Sequence, residues 1–95
     1  MITAHARVST AHASKYLVQL SKHWSHRFPD LTYDAGFADI PLPGGPLRLE
    51  AEADTLSMTV RSPARESLAR MQEVVTEHLQ RFAFREPLEV SWTTD

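Results

Sequence analysis

From Leu47 to Arg61 the chain alternates apolar and polar side chains, with a single interruption. Leu47, Leu49, Ala51 and Ala53 alternate with Arg48, Glu50, Glu52 and Asp54. Beyond Asp54-Thr55, Leu56, Met58 and Val60 alternate with Ser57, Thr59 and Arg61. A period of two throws successive side chains to opposite faces of a strand, so this run predicts two strands joined by a tight turn at Asp54-Thr55. One face of the hairpin is then apolar and the other charged. Two strands alone are marginal in water, and the dry face demands further strands and a second layer.

The rest of the chain supplies both. Ile2, Ala4, Ala6 and Val8 alternate with Thr3, His5, Arg7 and Ser9, which predicts a first, half-buried strand. Ser9 or Thr10 then caps a helix expected to run to about Arg27, with Ala13, Tyr16, Leu17, Leu20 and Trp24 as its buried stripe. Phe28-Pro29-Asp30 ends it, because a residue before proline is pushed out of the α region. Leu31 to Ala35 reads as loop or irregular strand. Phe37 to Leu42 reads as extended, with Ala38, Ile40 and Leu42 on one face. Pro43-Gly44-Gly45-Pro46 reads as a turn whose prolines break any ladder.

Ser62-Pro63 predicts the start of a second helix, with a hydroxyl cap and proline at its first position. Leu68, Met71, Val75, Leu79 and Phe82 form its stripe. Leu88, Val90 and Trp92, alternating with Glu89, Ser91 and Thr93, predict a last strand. The order is β-α-β-β-β-α-β: an α+β two-layer sandwich, with a mostly antiparallel sheet carrying two helices on one face. Leu20, Leu49, Met58, Leu68, Val75 and Val90 are expected in one core. The 95 residues read as a single domain, 1–95, without a linker or repeat.

Such a domain must stand without staples, since the chain contains no cysteine; disulfides and thiolate metal sites are excluded. Its net charge of −2 gives no positive field to attract nucleic acid or anionic lipid. The run MITAHARVST has no apolar core for a signal peptide, and no run is long enough to span a bilayer, so the cytoplasm is the expected location. No phosphate-cradling glycine loop, no nucleophile elbow and no His-Glu-x-x-His helix occurs.

The candidate chemistry lies with histidine and arginine. His23 and His26 are three apart on one helix flank, with His12 further back, and His78 lies at the edge of the second helix's stripe. If the helices pack side by side, His23, His26 and His78 can offer imidazoles to a divalent metal. Packing histidines, hydrogen-bonded to carbonyls, are the simpler alternative. Arg81 and Arg85, near the second helix's end, can contact an anion or a partner or pair with Glu86; equally, they can complement the helix dipole. Trp24, Trp92, Phe82 and Phe84 read as packing residues. The wet sheet face is expected to carry Arg48, Glu50, Glu52, Ser57, Thr59, Arg61, Glu89 and Ser91, a mixed surface suited to solvent or a polar partner.

Taken together, Ser9-Thr10, Tyr16-Leu17, the run Gln19 to His26, Gln72 to Val75, and His78-Leu79-Gln80-Arg81-Phe82-Ala83-Phe84-Arg85-Glu86 with Leu88, Val90 and Trp92 resemble a bacterial family known as domain of unknown function 2218. The resemblance spans essentially the whole chain. Ser21 stands where many relatives have cysteine, so no thiol role transfers. The resemblance implies a small α+β fold similar to TATA-binding-protein-like folds. It also implies an association with siderophore-interacting proteins, and some members carry a dihydroxyheptenedioate aldolase label.

The residues speak against an aldolase. A Schiff-base enzyme needs a lysine that can lose its proton, and Lys15 and Lys22, the only lysines, fall on the solvated flank of the first helix. Metal-dependent aldolases generally sit on barrels of roughly 250 residues. The expected function is a non-catalytic accessory or binding module linked to iron or siderophore metabolism, taking a small ligand or a protein partner, as a monomer or small homo-oligomer. The alternative is a small metal-assisted enzyme at the histidine seam.

Overall fold

A computed structural model describes residues 1–95. The elements are β1 (Ile2–Ser9), α1 (Ala13–Ser25), β2 (Thr32–Tyr33), β3 (Phe37–Leu42), β4 (Gly45–Ala51), β5 (Thr55–Ser62), α2 (Arg65–Phe82) and β6 (Thr93–Thr94). The strands form one antiparallel sheet in the order β2-β3-β4-β5-β1-β6. Both helices cover one face, which makes the predicted α+β two-layer sandwich.

Register explains the dry face. Ala6 pairs with Met58, Met58 with Leu49 and Leu49 with Ala38, one apolar row across four strands. A parallel row runs Ala4, Val60, Leu47, Ile40. Leu17, Leu20 and Trp24 from α1 and Leu68, Met71, Val75 and Leu79 from α2 close over these rows. Of the expected core set, Leu20, Leu49, Met58, Leu68 and Val75 are buried, while Val90 packs half-buried against them.

Several local expectations are corrected. The β4–β5 turn falls at Glu52–Asp54, with Glu52 N–H bonded to the Thr55 carbonyl, so Ala53 is exposed. The prolines do not break the ladder: Pro41 pairs with Pro46, and Leu42 with Gly45. Bonded and non-bonded pairs alternate along an antiparallel ladder, so two prolines fit where neither N–H is needed. Gly45 sits at φ +146°, and a Cβ there would lie 1.9 Å from the Arg61 carbonyl oxygen; only glycine lets β4 start beside β5.

The helices also begin later than expected. Thr10 leaves α1 to start at Ala13; its hydroxyl accepts the His12 N–H at 3.1 Å, bracing the turn before the helix. Ser62 is the last residue of β5, paired with Ile2, and its hydroxyl bonds to that of Ser67. Extending the ladder to its end takes Ser62 away from capping, and α2 opens at Arg65 with Ala64 as cap residue.

The expected strand Leu88–Thr93 keeps its alternation but joins the ladder only at its last residue, Thr93. Leu88 is buried and Trp92 half-buried, yet only Thr93–Thr94 pair with β1. Glu86 is anchored to α1, and the Trp92 indole N–H donates to the Thr76 hydroxyl of α2 at 2.9 Å. Those two anchors hold the segment against the helices until Thr93 reaches the sheet.

Candidate functional site

Three polar constellations border the core or lie beyond it. The first is the seam where the C-terminal half of α1 meets α2. His23 and His78 face each other with ring centroids 5.0 Å apart. Trp24 packs against His78 with centroids 5.1 Å apart, and Phe82 stands edge-on to His23 at 5.8 Å. The His78 Nδ1–H donates to the Val74 carbonyl at 2.7 Å, one turn back. The His23 imidazole, though largely open to solvent, is held below the usual histidine range by desolvation of its packed side, then by the neighbouring charges of His78, Arg81 and His26. It is therefore neutral at pH 7. His26 is exposed at the C-cap of α1. The structure thus brings His23 and His78 together, with His26 beside them, but no three histidine or acidic side chains converge in a metal-holding group.

The second constellation escaped the sequence reading. Glu86 does not pair with Arg81 or Arg85. Its carboxylate accepts the Tyr16 hydroxyl at 2.6 Å and the Thr10 hydroxyl at 3.1 Å, some 70 positions away in the chain. The Tyr16 bond is the main cause holding the Glu86 carboxyl below its usual range. The same bond, with burial added, pushes the Tyr16 phenol up to about 12. The group is a closed tether between the start of α1 and the end of α2. One signal in the sequence pointed to it: Tyr16 lies in a buried stripe, and its hydroxyl needs a partner there. Arg81 is exposed, as is Arg85, whose guanidinium lies 5.4 Å over the Phe84 ring. Phe84 itself is 77% exposed, against the expectation that it packs.

The third is the uncovered sheet face. The register that builds the apolar rows also builds a polar one, Asp39, Arg48, Thr59, His5, on the opposite side. Arg48 donates to Asp39 at 2.6 Å and lies 4.6 Å over the Phe37 ring, so its guanidinium is held in place. His5 bridges Thr59 and Asp95, each at 3.2 Å. Arg61 stands beside them with no acidic partner. With Glu50, these groups line a shallow depression of about 420 Å³. Sequence placed Arg48, Glu50, Thr59 and Arg61 on this face; His5, from the polar side of β1, and Asp39 complete it.

Residues 5–93 match the model of a family described as an uncharacterized protein conserved in bacteria, DUF2218. The chain belongs to DUF2218. No curated protein matches it. The NMR structure of PA4090 from Pseudomonas aeruginosa is similar: 36% identical, with 98% of this chain and 96% of that one covered and a TM-score of 0.82. The six-stranded sheet and two helices of this DUF2218 domain thus have a close structural neighbour. In Ser21 the domain has a fully buried hydroxyl, which donates to the Leu17 carbonyl at 2.8 Å. Lys15 and Lys22 are both exposed. No helix is long and apolar enough to cross a membrane.

Proposed function

We propose that this domain is a non-catalytic binding module that takes a small polar ligand on the uncovered face of its sheet. One observation carries this reading. Arg48 is pre-positioned by Asp39 and Phe37, Arg61 has no acidic partner, and both open onto the same shallow depression with His5 and Thr59. A guanidinium already held in place loses little freedom on meeting an anion, so the affinity it contributes is less offset by ordering. Five donors in a fixed fork suit carboxylate or hydroxamate oxygens. Family resemblance suggests iron or siderophore metabolism as the setting and ferric chelates as the first ligands to try. Arg81 and Arg85, both exposed, are read as a secondary contact for an anionic ligand or partner.

The test is a thermal-shift and NMR titration of the full chain with ferric citrate and with a ferric hydroxamate. Either chelate should raise Tm by mass action and move the amide signals of β4 and β5. Arg61→Glu, on an exposed position, should abolish the effect while leaving the fold intact. If the parent responds to neither chelate, or Arg61→Glu responds like the parent, the sheet-face reading fails.

A further inference from the structure

We propose that His23, His26 and His78 form a binding site for a divalent transition metal of the zinc, nickel or copper class, at the seam between α1 and α2. Two of the three rings, His23 and His78, already lie against each other across the seam. Their ring centroids are 5.0 Å apart. Two imidazoles bound to one tetrahedral zinc through nitrogens at about 2.0 Å place their centroids about 5 Å apart. The spacing is therefore that of two rings sharing one ion, reached by turning their nitrogens toward it.

The tautomer of His78 suits this role. A carbonyl oxygen can only accept, so the bond to Val74 places the proton on Nδ1 and leaves the Nε2 lone pair of the neutral ring free. Metal-ligating histidines commonly show this arrangement: one nitrogen tied to a backbone carbonyl, the other turned to the metal and made more basic. His23 is exposed, so an ion can reach it from solvent.

His26 follows three residues later on the same flank. It is not gathered with the other two as they stand. Being exposed at the helix end, it can close a third position by rotating its side chain, and solvent fills the fourth. An all-imidazole set without a carboxylate selects zinc, nickel or copper over magnesium or calcium. Arg81, whose charge reaches His23, opposes a dication at this seam. The dissociation constant is accordingly expected on the order of micromolar.

The probes are zinc chloride and nickel chloride alone, titrated calorimetrically into the full chain at pH 7.5. One ion per chain is expected. His23→Gln and His78→Gln should each weaken binding by about tenfold or more and His26→Gln by less, while the exposed, distant His12→Gln leaves it unchanged. Imidazole 15N shifts should show the metal on Nε2 of His78 with Nδ1 still protonated, a signature that a merely structural histidine would not give. His23 is exposed, so His23→Gln keeps its fold and decides the matter even if His78→Gln does not fold. No binding by the parent at micromolar protein, or parental affinity in His23→Gln, overturns the proposal.

Discussion

The two ends of α1 solve the same problem in opposite ways. Near its start, Tyr16 reaches Glu86 beyond the end of α2, and donor and acceptor satisfy each other at 2.6 Å. Near its finish, His23 meets His78 of α2 ring against ring, and only one nitrogen of His78 is committed, to Val74. The first contact spends its polar valence internally and shifts both partners' protonation further from neutrality. The second keeps lone pairs in hand. A polar cluster whose partners are all made is a fastening, and one with valence left over can bind. The difference separates a structural from a functional reading of polar residues on a single helix.

Leu20, fully buried between the two ends, sets the scale. Leu20→Ala should cost about 2–5 kcal/mol, read from denaturant unfolding, because the cavity it leaves cannot collapse fully. A loss well under that range would mean that α1 is held by its polar ends rather than by its stripe. Next in size is Tyr16→Phe, which should lower Tm by a few degrees. The tether has its own pH window. With its folded pKa depressed, Glu86 contributes stability that is present above the ordinary carboxylate value of 4.5 and lost as pH falls through the folded value. Acid titration of Tyr16→Phe should therefore lose less stability below pH 4.5 than the parent does; parallel curves would show that the tether carries nothing.

The smallest effect belongs to the seam. The folded pKa of His23 is also depressed, but for a base this means that the unfolded chain takes up its proton first. The stability is present above the ordinary 6.5 and declines as pH falls from there toward the folded value. His23→Gln should leave Tm nearly unchanged at pH 8 and flatten its decline between pH 7 and 5. Because the ring is exposed, the difference should be at most a degree or two. If His23→Gln falls as steeply as the parent, the two ends of α1 do not differ in the way proposed.

Much of this molecule can be read from local pattern. Period two placed Leu47, Leu49, Met58 and Val60 on the covered face and Arg48, Glu50, Thr59 and Arg61 on the open one, and helical period placed the stripes of α1 and α2. Side-chain alternation is a property of a few consecutive residues, so the sequence by itself determined which face of each element is dry, and with it the two-layer α+β class. It also made the meeting of His23 and His78 conditional on one event, the side-by-side packing of the helices. Partnerships across the fold were another matter. Glu86 sits among arginines in sequence yet bonds to Tyr16 and Thr10, because the helix layer carries the end of α2 to the start of α1. Leu88 to Trp92 alternates like a strand, yet contacts from both helices hold it off the sheet. His5 joins Arg48 on the open face through the β1–β5 and β4–β5 registers, and Phe84 ends outside the core in which it was expected to pack. Only the tertiary structure decided these, for a physical reason. A hydrogen bond acts over about 3 Å, and which groups come within that reach depends on the order of strands and helices, which no local run of residues encodes.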